Sequence, residues 1–179
     1  MRTVLFILDF DGTIIPSSRI EKLCRRIFKK IGLSRPPNIC LALSEIVDFF
    51  GFLFKIKKVV AHKNIHNLVK ENNFPIGILT DRSLFSLCQY LEVLGIDIKN
   101  LAFVQTRKSL LNFFIYSEKE VFVSQKTKPD KEVFENLLCF VKKNGLKKNN
   151  VVFVDDLAEA RALAKNFGLQ AMDPIDLPA

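Results

Sequence analysis

Five short, unbroken apolar runs punctuate this 179-residue chain: Val4 to Leu8, Ile76 to Leu79, Leu101 to Val104, Val151 to Val154 and, more weakly, Leu169 to Met172. A strand with one wet face alternates apolar and polar residues, whereas a strand covered on both faces reads as a continuous apolar run. Between the runs lie stripes at helical spacing. Leu84, Leu87, Cys88, Leu91 and Leu94 lead to Gly95; Val133, Phe134, Leu137, Leu138 and Val141 lead to Gly145; Leu157, Ala160, Leu163, Ala164 and Phe167 lead to Gly168. Strand and helix in alternation predict right-handed crossovers and a parallel sheet covered on both faces. In such sheets ligands bind beyond the carboxyl ends of the strands.

The expected fold class is therefore α/β, a three-layer α/β/α Rossmann-like sandwich, and the length suits one domain with a small insert. With 49% hydrophobic and 26% charged residues the composition is that of a packed globular protein, which excludes disordered and low-complexity classes. Cys24, Cys40, Cys88 and Cys139 form no C-x-x-C pair, which suggests buried thiols in a reducing cytoplasm rather than a zinc site or a disulfide framework. Val4 to Leu8 is too short for a signal-peptide core, and Ile39 to Phe54, interrupted by Glu45 and Asp48, falls short of a membrane span. A cytoplasmic protein is expected.

The net charge of +8 is unevenly placed. Between Ile14 and Asn73 twelve Lys/Arg stand against four Asp/Glu, while the rest of the chain balances fifteen against fifteen. The basic stretch reads as an inserted helical element. Ser18 and Glu21 form a capping box, and Ile20, Leu23, Cys24, Ile27, Phe28 and Ile31 repeat at helical spacing up to Gly32. After Pro36-Pro37 a Phe-rich helix is expected from Ile39 to Phe54, and a further helix from about Val59 to Glu71 belongs with the main layer. The expected division is a core of residues 1–13 and 57–179 with a small basic helical insert at 14–56. A second, smaller insertion at 106–127 is expected to hold a hairpin of Phe113–Tyr116 with Val121–Ser124.

The first run ends Leu8-Asp9-Phe10-Asp11-Gly12-Thr13 and the fourth ends Val154-Asp155-Asp156. Crowded carboxylates are costly unless a cation or a raised pKa relieves their repulsion. Two acid pairs at neighbouring strand ends make a hard-oxygen site suited to Mg²⁺. The second run ends Leu79-Thr80-Asp81-Arg82 at the same rim, where Asp81 and Arg82 either touch a substrate or face solvent. Lys128 precedes Pro129 at a helix start, which favours it over Lys126 as the cation of the site.

These four segments, in this order, resemble the four motifs of the haloacid dehalogenase-like hydrolases and span nearly the whole chain. Asp9 to Thr13 resembles the first motif, Thr80 the second, Lys128-Pro129-Asp130 the third and Val154-Asp155-Asp156 the fourth. The resemblance implies a hydrolase in which Asp9 is the nucleophile that forms an aspartyl-phosphate and Asp11 is the general acid and base. It implies Mg²⁺ held by Asp9, the Asp11 main-chain carbonyl and Asp155, with Asp156 behind them, and phosphate held by Thr80 and Lys128; Asp81, beside Thr80, is a further phosphate-binding candidate from its place in the loop. The family's dehalogenases lack an acid at the position of Asp11, so the resemblance points to a phosphatase or a phosphomutase, which share these residues. The insert at 14–56 corresponds to a cap, short enough to leave an open site. Its charge suits a polyanionic phosphorylated substrate such as a nucleotide or a nucleic-acid end. The non-enzymatic alternative is a basic module on the same scaffold that docks nucleic acid or an acidic partner.

Overall fold

The computed structural model describes residues 4–15, 30, 45–47, 50–51, 61–62, 65, 68–69, 74–109 and 120–177. Its centre is a six-stranded sheet of β1 (Leu5–Leu8), β2 (Ile76–Ser83), β3 (Phe103–Arg107), β4 (Phe122–Ser124), β5 (Val151–Val154) and β6 (Gln170–Met172). The spatial order is β4-β3-β2-β1-β5-β6, and every pairing is parallel. Three helices described over their full length pack on it: α1 (Leu84–Leu94), α2 (Lys131–Lys143) and α3 (Ala158–Asn166).

Side chains alternate between the two faces of each strand, so each unbroken apolar run feeds two cores. Leu8, Ile76, Ile78, Val104, Val152 and Val154 join α1's Leu87 and Leu91 on one face. Leu5, Ile7, Phe103, Val151 and Phe153 join Phe134 and Leu137 of α2 and Ala160 and Ala164 of α3 on the other. The three-layer α/β/α sandwich follows. Ile65 and Val69, both helical, are buried in the α1-side core. Ile14 and Ile15 join the same core, and His62 N donates to Ile14 O.

Two strand boundaries extend past their apolar runs. β2 continues through Thr80, Asp81, Arg82 and Ser83, and β3 through Gln105, Thr106 and Arg107. Hydropathy does not reveal these polar residues, several of which are sheltered with a partner, as when Gln105 Nε2 donates to Val133 O. The expected hairpin is corrected as to its second arm. Phe122–Ser124 pairs in parallel with β3, in register Gln105↔Phe122, and forms the sheet edge. Phe122 stacks on Phe103 at 5.2 Å between ring centroids, an inward anchor that draws this segment onto β3. Phe113–Tyr116 lies outside the described residues.

Glu45–Val47, Phe50 and Gly51 are helical, as the Phe-rich stretch predicts, and Lys30 is helical within the expected basic helix. The rest of those two helices lies outside the described residues. The expectation of buried thiols is corrected for Cys88, which is half-buried, and for Cys139, which is exposed on α2; both are free. Cys139 falls between inward-facing positions of that helix. Among the described residues no helix is long and apolar enough to cross a membrane.

Candidate active site

Register sets the first contact. β1 and β5 pair Leu8↔Val154, and Asp9 N donates to Val154 O at 2.8 Å, so Asp9 and Asp155 leave the sheet side by side. Both are buried, at 3% and 0% exposure. Gly12 then turns the chain with φ +88°, and its N–H donates to Ile15 O. The Asp156 carboxylate lies where a side chain on residue 12 would be, so glycine is required here for space as well as for backbone conformation.

Lys128 is the cation of the cluster. Its Nζ lies 2.5 Å from Asp9 Oδ1 and donates to Asp155 Oδ2 at 2.7 Å. It is 5% exposed, whereas Lys126 is exposed and uses its main-chain N–H to bond Ser124 Oγ. Burial alone would lower the Lys128 pKa, but Asp155, Asp9 and Asp81 together hold it above the usual lysine range. Burial pushes the Asp9 carboxyl well above its ordinary value; Lys128 opposes that shift, and Asp155 and Asp11 add to it.

β2 contributes the opposite wall. Between the pairs Leu79↔Gln105 and Ser83↔Arg107 four steps on β2 face two on β3, a bulge that re-aims Thr80, Asp81 and Arg82 at the strand end. Thr80 Oγ1 accepts from Arg82 N at 3.1 Å, which leaves the hydroxyl proton to be donated elsewhere. Asp81 Oδ1 accepts from Lys128 N at 2.9 Å, so this carboxylate braces the Lys128 backbone. Burial raises the Asp81 pKa, opposed by Lys128. Arg82 reaches Asp11: Nε donates to Oδ1 at 2.9 Å and to Oδ2 at 2.8 Å, and Nη2 to Oδ1 at 2.5 Å.

The seven residues singled out in the sequence, Asp9, Asp11, Thr80, Asp81, Lys128, Asp155 and Asp156, thus lie along one carboxyl edge. Asp9, Asp155 and Asp156 offer oxygens within 4.8 Å of one another, the arrangement that could hold a metal ion. Oxygen donors of this kind suit Mg²⁺. Lys128 pairs with Asp9 and Asp155, and Arg82 with Asp11; with Asp81 and Asp156 the edge gathers five carboxylates, an oxygen donor set that fits a divalent cation.

Sequence reasoning gave little weight to Arg82 and none to three other polar residues that build this edge. Arg161 Nη1 donates to Asp155 O at 2.6 Å and pairs with Asp173 at 3.0 Å. Arg107 Nε donates to Asp81 O, and its Nη2 meets Glu45 at 2.5 Å. Glu45 also accepts from Ser83 N and Ser109 Oγ, which ties it to the end of β2 and to the chain just past β3. The only sequence signal was Arg82's place two residues after Thr80; the Glu45 and Arg107 pairing spans 62 positions and left none.

No protein-family model and no curated protein sequence matches the chain. Solved structures do. A candidate phosphoglycolate phosphatase from Lactobacillus plantarum superposes with a TM-score of 0.62 at 14% identity, covering 98% of this chain and 87% of its own. A HAD-superfamily hydrolase of subfamily IA from Geobacter sulfurreducens does so with 0.55 at 18% identity, over 99% and 92%. L-2-haloacid dehalogenase from Xanthobacter autotrophicus gives 0.55 at 10% identity, over 94% and 76%. The chain therefore has the fold of the haloacid dehalogenase-like hydrolases, with its acid cluster at the carboxyl edge of the sheet.

Proposed function

We propose that the chain is a Mg²⁺-dependent phosphomonoester hydrolase that works through an aspartyl-phosphate on Asp9. The observation that carries this reading is Asp11, a second acid on the edge that holds the Asp9, Asp155 and Lys128 cluster. Displacement at a carbon–halogen bond needs no proton for its leaving group, whereas an alkoxide leaving a phosphate monoester does.

In the first half-reaction an Asp9 oxygen attacks phosphorus. The bond to the ester oxygen breaks, and that oxygen takes a proton from Asp11. In the second, a water oxygen attacks the same phosphorus, Asp11 takes the proton, and the Asp9 carboxylate is released with phosphate. Thr80 donates its hydroxyl to a phosphoryl oxygen, and Lys128 supplies a buried positive charge beside it. Asp81 holds Lys128 in place through its main chain. Asp9, Asp155 and the Asp11 carbonyl would hold Mg²⁺, with Asp156 alongside; the ion supplies charge that offsets repulsion between carboxylate and phosphate.

The test is hydrolysis across a panel of phosphate monoesters, including sugar phosphates, nucleotides and 5′-phosphorylated oligonucleotides, with Mg²⁺ or with chelator. Metal-dependent phosphate release that disappears in a folded Asp9→Asn variant is expected. Unchanged turnover in that variant would refute the reading.

A further inference from the structure

Arg82 makes more contact with the proposed acid/base than any residue of its own strand. Its Nε donates to both Asp11 oxygens and its Nη2 to one of them, so the carboxylate cannot rotate without breaking several charge-assisted bonds. The guanidinium is itself fixed. Nη1 donates to Ser86 Oγ at 3.0 Å, and the planar group lies 4.4 Å over the Tyr90 ring and 5.8 Å from that of Phe10. Ser86 and Tyr90 are buried on α1, a helix capped by Ser83, whose side chain accepts from Ser86 N. Asp11 stands just past the end of β1 and directly before Gly12, and among the described residues the donors to its carboxylate come from Arg82. Its direction is set from β2 and α1.

We infer that Arg82 is a positioning residue, which aims the Asp11 carboxyl to give a proton to the leaving ester oxygen and to take one from the attacking water. The inference rests on the proposed phosphatase reading. Arginine suits the role better than lysine, because a planar fork defines an orientation and a point charge does not. A misplaced catalytic group can lose about 100-fold in rate for an error of about 1 Å.

The experiment compares kcat/KM for an alkyl phosphate, whose leaving group needs a proton, with that for p-nitrophenyl phosphate, whose leaving group does not. It uses wild type, Arg82→Met, Arg82→Lys, Asp11→Asn and the Arg82→Met/Asp11→Asn double variant, each with its thermal unfolding recorded without substrate. Arg82→Met is expected to lose about 100-fold on the alkyl ester and little on the aryl ester, with Arg82→Lys between it and wild type. In the Asp11→Asn background the Met substitution should remove nothing further from kcat/KM. Should Arg82→Met fail to fold, Arg82→Lys carries the same comparison.

Equal losses on both esters, or a loss that multiplies with that of Asp11→Asn, would overturn the role. So would coupling between the two residues in thermal unfolding without coupling in kcat/KM, since the pair would then serve packing alone. A wild type that cleaves neither ester would remove the phosphatase reading itself, and the role of Arg82 with it.

Discussion

Lys128 Nζ donates to Asp155 Oδ2 across 2.7 Å, joining the segment before α2 to the end of β5 in a place closed to solvent. The same nitrogen meets Asp9, so one ammonium serves two buried carboxylates. Removing one member of a buried charge pair costs about 3–5 kcal/mol, because its partners stay buried and uncompensated. Lys128→Met is therefore expected to unfold at a clearly lower temperature than wild type in chelator. Mg²⁺ stabilises either chain by about 2.7 kcal/mol at a hundred times that chain's Kd, so the gap should narrow at a fixed Mg²⁺ concentration because the freed acids bind the ion more tightly in the variant. Thermal unfolding with EDTA and with Mg²⁺ measures both, and a variant with wild-type Tm in EDTA would contradict the pairing.

Asp9 gives a prediction of opposite sign. Burial, with Asp155 and Asp11 nearby, raises its carboxyl well above the ordinary 3.8, so the folded chain takes up this proton more readily than the unfolded one. The contribution to stability is then fully present below the unfolded value and falls as pH rises above about 4 through the folded pKa. Keeping Asp9 ionised in this buried site strains the metal-free fold. Asp9→Asn keeps the shape without the charge, so in chelator at pH 7 its Tm should exceed that of wild type while phosphate release is lost. Scans from pH 4 to 8 should show the two converge at the acid end; a variant less stable than wild type at pH 7 would count against the assigned shift.

How far the sequence revealed this molecule depends on the range of the interactions. Core strands were legible because burial on both faces leaves unbroken runs such as Val151 to Val154, and helices because Leu84, Leu87, Leu91 and Leu94 share one face. The acids were legible because Asp9 and Asp155 each directly follow such a run. The polar halves of β2 and β3 were not, since hydropathy marks such residues as exposed while Gln105 and Arg107 are buried against partners distant in sequence. The edge strand β4 was read as a hairpin arm because a three-residue strand carries no sign of whether it pairs in parallel or antiparallel. Arg82 could be placed near the site but not against Asp11, 71 positions away.

Glu45 shows what such a distant contact contributes. It is 5% exposed, meets Arg107 at 2.5 Å, and accepts from Ser83 N and Ser109 Oγ. Glu45→Ala leaves the Arg107 guanidinium short of its carboxylate and is expected to cost about 3 kcal/mol or more in denaturant unfolding. Arg107→Met should cost a similar amount. The double variant should lose at least about 1 kcal/mol less than the two singles combined, because the second change removes the guanidinium that the first deprived of its Glu45 carboxylate. Additive losses would mean that the two side chains are not coupled.

Gly12 ties the first motif to the fourth by shape alone. A Cβ added there would stand 2.4 Å from both Cγ and Oδ2 of Asp156, and φ at +88° is itself unfavourable for a side chain. The two penalties can be separated. Gly12→Ala should lose stability from the left-handed backbone, about 1–2 kcal/mol, and more from the displaced carboxylate. Asp156→Ala removes the group that the new methyl would meet, so the double variant should recover the steric part and keep only the backbone part. Binding of Mg²⁺, followed as the Tm rise on titration, should weaken in Gly12→Ala because Asp156 moves away from Asp9 and Asp155. A Gly12→Ala chain with wild-type Tm and an undiminished response to Mg²⁺ would show that Asp156 has room to yield and is not held against the first motif.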